Sequence, residues 1–183
     1  KTSVGFWILD VGFAALLENR ENVVTVYVPE KAALDTGKID TSNGKVTADA
    51  WFTTQNLNVQ SDNGKIELMQ MICEKNAQVH CSNGKITVNA EFKGESLFSS
   101  NNGNVELAGA WEGTVTCKTN NGKIQVTAPK PESAYRVEAH TDNGSVYVND
   151  NKVLNPYTAQ NTQADTNLYA VRNNGSVRLD IAN

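Results

Sequence analysis

Apolar and polar residues alternate on both sides of an Asn-Gly pair that recurs along the chain. The residues two and four positions after the glycine are apolar in every repeat, and so is the residue five positions before it. This alternation predicts two short strands per repeat, each with one buried face. The glycines are spaced 20, 20, 19, 19, 22 and 31 residues apart, which is typical of a repeat protein. The asparagines of the pairs are Asn43, Asn63, Asn83, Asn102, Asn121, Asn143 and Asn174.

Two folds are compatible with this pattern. Each Asn-Gly pair is either the two-residue loop of an antiparallel hairpin or the corner of a coil whose equivalent residues stack about 4.8 Å apart in parallel ladders. Matched columns of Val/Ile, Ser/Thr/Cys and Asn favour the coil, because like residues then stack on like and Asn side chains hydrogen-bond along the ladder. A fourth apolar column, eight positions after the glycine, indicates a short third side. It consists of Phe52, Ile72, Phe92 and Trp111.

The 183 residues are enough for one domain, and we expect a single all-β domain. Its predicted fold is a right-handed parallel β-solenoid (β-helix) with about seven coils of roughly 20 residues. We divide it into an N-terminal cap (1–22), regular coils (23–149), an inserted loop where the period breaks (150–167) and a final coil (168–183) that closes the stack. Arg172 stands in a column of small residues, so we expect its side chain to meet solvent in that end coil.

Composition excludes several classes of function. A net charge of -4 and a pI near 5.2 give no basic footprint, so we expect no nucleic-acid partner. The apolar run Val4–Leu17 is too short and too polar to span a bilayer and lacks the features of a signal peptide. An upstream membrane anchor is compatible with a chain that begins without Met, but no residue here indicates one.

Cysteine and histidine spacing predicts neither a disulfide framework nor a metal site. Cys73, Cys81 and Cys117 form no metal-binding pair, and the last two are expected to lie two coils apart, too far to bridge. His80 and His140 lack a paired spacing. We therefore assign no metal ligand and no cofactor.

Lysine is the commonest residue directly after the glycine, and it suggests a basic stripe. Such a stripe could meet anionic glycans such as teichoic acid, although exposed lysine also serves solubility and discourages edge pairing. Acidic residues near the stripe offset it, namely Asp62, Glu67, Glu106 and Asp142. The lysines are Lys45, Lys65, Lys85 and Lys123.

No pair of carboxylates has the clustering that a polysaccharide lyase or hydrolase needs, so we assign no catalytic residue. Among the aromatic residues, Trp51 and Trp111 are expected to pack at coil corners. Tyr147 and Tyr157 are expected to be exposed, and we assign neither to a binding site.

The strand Val23–Val28 closed by Pro29, the segment Ile39–Val46 and the later strands around Ser-Asn-Gly resemble bacterial adhesin-like domains of unknown function. These are related to LiaG-like envelope proteins and to the head domains of auto-transporter adhesins. The resemblance covers residues 23–181 and implies a right-handed β-solenoid outside the cell, often anchored by an N-terminal membrane segment. It supplies no catalytic residue.

We therefore expect a non-enzymatic bacterial cell-surface protein of the extracellular side of the envelope, either membrane-anchored or secreted. It would be a monomeric, rigid scaffold for adhesion or for contact with an unknown protein or a cell-wall glycan. The first alternative is a self-assembling, filament-like solenoid, and the second is a polysaccharide-active β-helix enzyme.

Overall fold

The structure, a computed structural model, describes residues 32–182. The predicted cap at residues 1–22 and the predicted strand Val23–Val28 lie outside the described residues. A single 3-10 turn at Glu132–Ala134 interrupts a chain of strands, and none of the described residues forms a helix able to cross a membrane. The strands are β1 (Ala33–Asn43), β2 (Val46–Asn63), β3 (Ile66–Asn83), β4 (Ile86–Phe92), β5 (Glu95–Asn102), β6 (Val105–Trp111), β7 (Gly113–Asn121), β8 (Ile124–Pro131), β9 (Tyr135–Val148), β10 (Asn151–Lys152), β11 (Tyr157–Ala159) and β12 (Thr166–Ala182).

Strands one repeat apart pair in parallel. Val59 on β2 lies opposite Ile39 on β1 and opposite Val79 on β3, so residues of the same column stack directly. The parallel, solenoid-like arrangement is confirmed, and the hairpin alternative is wrong. One face of every described turn lies in a shared interior, and the other face points outward.

The predicted apolar columns line that interior. Ile66, Ile86 and Val105 follow their glycines by two positions and are fully buried. The third side differs from the prediction, because Met71 is buried and Ile72 only half-buried. Gln70 has a φ of 57°, and the register between β2 and β3 shifts there, so Phe52 pairs with Met71. This bulge turns the neighbouring apolar residue inward.

The asparagines of the Asn-Gly pairs form one continuous side-chain ladder, as predicted. Six hydrogen bonds link the seven side chains, each from an Nδ2 to the Oδ1 of the asparagine in the adjacent turn, over distances of 2.9 to 3.1 Å. In spatial order the ladder runs Asn43, Asn63, Asn83, Asn102, Asn121, Asn174 and Asn143.

The glycine of each pair is required by the neighbouring turn as much as by its own conformation. A Cβ built on Gly84 would lie 1.6 Å from the carbonyl oxygen of Gly64, inside any allowed contact. Stacking of backbone on backbone therefore excludes a side chain from the corner inside the stack.

The strand order departs from the chain order at the C-terminal end. β12 pairs in parallel with β7 and β8 on one side and with β9 on the other. β9 precedes β12 in sequence but lies beyond it in space. The prediction that residues 168–183 close the stack is therefore wrong. The chain first forms β9 one turn further along the stack, and β12 then occupies the position between β9 and the turn of β7 and β8.

Residues 150–167, predicted as an inserted loop, cover the outer edge of β9. β10 and β11 pair antiparallel with it, and Val153 N donates to Val146 O at 3.0 Å. Between them the Asn155 amide binds both backbone groups of Thr141, donating to its carbonyl at 2.6 Å and accepting from its N–H at 3.1 Å. The groups that would recruit another strand are thus occupied along β9.

Arg172 is buried, contrary to the prediction that it meets solvent. Its side chain is 1% exposed because β9 covers the turn that carries it, and burial lowers the pKa of its guanidinium. In the adjacent turns the residue of this column donates to a glycine carbonyl, Thr119 to Gly103 at 3.0 Å and Thr141 to Gly175 at 3.3 Å. All three guanidinium nitrogens of Arg172 lack a hydrogen-bond partner among the described residues.

Gly84→Ala should lower the free energy of unfolding by about 2–3 kcal/mol, since the new Cβ must push neighbouring turns apart. Asn101→Ala, at an exposed position of the adjacent corner, should change it by no more than about 0.5 kcal/mol. Urea denaturation of the two variants measures the difference. Equal losses would show that the stacked corner does not exclude a Cβ.

Arg172→Thr should raise the free energy of unfolding by about 1–3 kcal/mol. The change removes an unpaired buried charge and restores the hydroxyl that the neighbouring turns use. Thermal and urea unfolding provide the measurement, with Arg178→Thr, at a partly exposed arginine paired with Asp150, as the control expected to lower stability slightly. A clear loss of stability in Arg172→Thr would contradict an unpaired guanidinium.

Candidate functional site

Polar side chains cover two broad outward faces of the stack, apart from a charged group on the third side in which Lys93 pairs with Glu74 and Glu91. The lysine face consists of the residues one, three and five positions after each glycine, beginning with Lys45 and Thr47. The amide face consists of the residues four, six and eight positions before each glycine, including Asn56 and Asn58. Strand alternation places both sets away from the core, and the parallel register aligns each set in columns across the turns.

Glutamates neutralise much of the predicted basic stripe on the lysine face. Glu67 contacts both Lys45, at 2.5 Å between Nζ and Oε2, and Lys65. Lys85 Nζ lies 2.6 Å from Glu106 Oε2. The structure thus brings the lysines into one column. It also places two of the four acids suggested by the sequence, Glu67 and Glu106, beside them.

The cluster at Glu67 is the most perturbed titratable group on this face. Hydrogen bonds from the ammonium groups of Lys45 and then Lys65 lower the pKa of Glu67 from 4.5 to about 2. The carboxylate therefore stays charged over the ordinary pH range. It serves as an acceptor for two cations and is not a proton donor at neutral pH.

The remaining candidates from the sequence are occupied by local contacts. His80 Nδ1 lies 2.9 Å from Ser99 Oγ, and His140 Nε2 lies 2.8 Å from Asp142 Oδ1. Among residues 32–182, no group of three or more His, Cys, Asp or Glu side chains could hold a metal ion.

The three cysteines are free, and each is buried. Burial raises the pKa of each thiol, which keeps it protonated and unreactive. Cys73, which the repeat pattern does not place, fills an inner position of the third side, where its Sγ lies 3.3 Å from the Asn76 carbonyl oxygen.

The aromatic residues fall into different environments. Trp111 is buried as the pattern predicted, whereas Trp51 is 61% exposed. Tyr147 and Tyr157, expected to be exposed, are both half-buried. Arg178 Cζ lies 5.3 Å from the centroid of the Tyr147 ring. The Tyr157 hydroxyl donates to Glu132, and burial, together with this carboxylate, raises the pKa of Tyr157 to about 12.

The amide face contains an open groove that sequence reasoning missed. It has a volume of about 690 Å³ and crosses β1, β2, β3, β5 and β7. We call it the amide groove. When the repeats are aligned on glycine, the residues six and eight positions before it are amides in two successive repeats. This pattern could have indicated a surface lined by amides. The side chains that define the groove are Asn56, Asn58, Asn76, Gln78, Leu97 and Thr116.

A smaller depression lies on the lysine face. Its volume is about 220 Å³, and Thr87, Glu106 and Gln125 line it. Glu106 is engaged by Lys85, and Gln125 Nε2 donates to Asp180 at 3.2 Å. Glu106 and Gln125 are thus engaged within the protein, whereas Thr87 Oγ1 has no hydrogen-bond partner among the described residues. The amide groove has about three times the volume and crosses five strands, which makes it the better candidate for ligand binding.

Glu67→Gln should flatten the acid limb of the stability profile. A carboxyl group with a folded-state pKa of about 2 and an unfolded value near 4.5 stabilises the fold above pH 4.5, and this contribution is lost as the pH falls through about 2. The stability difference between parent and variant should therefore be constant near neutrality and disappear between these values. Urea unfolding from pH 7 to pH 2 measures it, and salt should reduce the difference. Profiles that stay parallel down to pH 2 would contradict the ion-paired cluster.

Comparison with known proteins gives a family and no activity. The model of the family described as Toastrack DUF4097 matches twice, over residues 1–110 and 53–183. Overlapping matches are expected of a repeat chain, since one repeat can align with the next. No curated protein and no solved structure matches significantly. The matches extend over more than half of the chain, and the protein therefore belongs to the Toastrack DUF4097 family, a family of domains of unknown function.

Proposed function

We propose that this protein is a non-enzymatic scaffold of the bacterial cell envelope, displayed on the extracellular side for adhesion or for contact with a protein or glycan. The proposed coil is right-handed, as the general crossover preference and the resemblance to adhesin-like and LiaG-like envelope domains imply. The seven Asn-Gly pairs give it about seven turns. In this proposal the protein is either held by a membrane anchor upstream of this sequence or secreted.

One observation supports the proposal most directly: the carboxylates, thiols and imidazoles that could act in catalysis are engaged in contacts within the fold or buried. Glu67 and Glu106 are paired with lysines, and the thiols are buried. His80 and His140 are bonded to neighbouring polar side chains. What stays available to a partner is the surface of two broad sheet faces, which suits binding rather than catalysis.

The covered edge of β9 supports a monomer over the filament alternative. End-to-end stacking needs free backbone groups at both ends, and β10, β11 and Asn155 occupy those of β9. Nothing on the described surface favours the enzyme alternative.

Protease treatment of intact cells of the native host tests the proposed location. Proteinase K should degrade this protein, detected by antibody, while a cytosolic marker in the same sample survives. Protection of the protein until the cells are lysed would overturn an extracellular location.

A reducing-end assay tests the proposed lack of activity on the same purified chain. Incubation with neutral and acidic polysaccharides should release no new reducing ends, and a catalytic release that tracks protein concentration would restore the enzyme alternative.

A further inference from the structure

The amide groove runs along the axis of the stack. Two columns of residues line it: the inner column, six positions before each glycine, and the outer column, eight positions before it. Along each column, neighbouring residues are one strand spacing apart. Asn58 lies opposite Gln78, Gln78 opposite Leu97, and Leu97 opposite Thr116. Across the five strands the groove is about 20 Å long, with polar groups repeated at about 4.8 Å. A ligand that fits it is itself extended and repetitive.

The amides of the groove retain hydrogen-bonding capacity. In the outer column, Asn76 Nδ2 donates to Asn56 Oδ1 at 3.2 Å, and Asn56 Nδ2 donates to the Asp35 carbonyl at 3.4 Å. These bonds fix both side chains. In the inner column, the amides of Asn58 and Gln78 form no hydrogen bond within residues 32–182, so each offers two donor hydrogens and an acceptor oxygen. Hydroxyl groups, which donate and accept, match this combination.

The charge of the groove opposes an ionic ligand. Its charged lining residues are Glu95 and Lys118, one of each sign. Lys38, opposite Asn58 on β1, stands two residues from Asp40 on the same strand face, so the two charges offset each other. The nearest basic column is on the other face and is paired with glutamates. A nucleic acid or a polyanionic glycan would find no cationic field here.

The backbone of the groove is also closed to peptides. The groove lies on the face of the sheet, where the parallel ladders consume the N–H and C=O groups of β2, β3, β5 and β7. Strand addition by a peptide requires an open edge. Recognition in the groove must therefore be made by side chains.

Apolar surface accompanies the amides in the inner column. Leu97 is half-buried within the groove, and Tyr169, also half-buried, lies one turn beyond Thr116 in the same column. Sugars present a C–H face as well as hydroxyls, and they pack on such side chains while their edges take hydrogen bonds.

We infer that the amide groove binds a neutral polysaccharide strand, laid along the solenoid axis across β1, β2, β3, β5 and β7. Asn58 and Gln78 hydrogen-bond its hydroxyl groups, and Leu97 contacts a sugar face. The inference names the ligand class of the proposed scaffold and rests on that proposal for its biological setting, whereas the binding itself is a property of the purified chain.

Calorimetric titration of the full 183-residue chain tests the inference. The probes are β-linked hexamers of glucose, N-acetylglucosamine, mannose and galactose, with the hexamer of galacturonic acid as the anionic counterpart. At least one neutral hexamer should bind, and Asn58→Ala/Gln78→Ala should weaken it by about tenfold or more at an unchanged melting temperature. The matched control, Asn89→Ala/Thr127→Ala, changes two exposed polar residues of the lysine face and should bind like the parent.

If the double variant melts early, the isosteric Gln78→Glu variant replaces it and should show the same direction of change. Absence of binding to all four neutral hexamers, a preference for the galacturonate hexamer, or equal loss in the control variant would overturn the inference. These outcomes are independent of protease accessibility on cells. A surface-exposed protein that binds no neutral hexamer remains a scaffold with another partner, and a protected protein that binds one loses only its proposed location.

Discussion

Contact between the backbones of successive turns at the Asn-Gly corner sets the geometry of the whole stack. Gly64 N donates to Asn83 O at 3.1 Å, and Gly84 N donates to Asn102 O at 3.0 Å, so each corner is held by the next. Glycine permits this approach, and the asparagine ladder fixes the register beside it. Once the corner is fixed, period-two alternation delivers like residues to like positions in every turn. The hydrophobic columns and the amide groove are both consequences of that register.

A stack built this way must deal with its last exposed edge. Here two asparagine side chains hydrogen-bond to backbone groups that no strand pairs with. The amide of Asn155 imitates a peptide group opposite Thr141, and the Asn149 carbonyl oxygen of the side chain accepts from Ile181 N at 2.7 Å. Both asparagines complete backbone pairing without adding a further strand. The edge is thereby closed at small cost in chain length.

The sequence predicts the repeated part of the fold well, because every column repeats its own chemistry. It predicts the buried columns, the asparagine ladder and the acids beside the lysines. It does not predict the exchange of Met71 for Ile72, since both are apolar and the deciding bulge lies at a polar residue, Gln70. Nor does it predict the burial of Arg172. The number of residues between two glycines does not reveal the order in which the turns stack, and it is β9 that covers the turn carrying Arg172. The amide groove was visible as columns of amides, but its concavity depends on the packed surface.

The position of β12 between β8 and β9 has a consequence for the order of folding. Up to β8, each turn emerging from the ribosome can dock on the turn made just before it, with a sequence separation of about one repeat. β9 has no such template, because its parallel partner β12 is synthesised afterwards. Docking of β12 on β7 joins residues more than 50 positions apart, as Ala170 and Cys117 illustrate, and loop closure of that length slows folding. The N-terminal turns can therefore mature while translation continues, whereas the C-terminal turns form together, after the strand that joins them has been made.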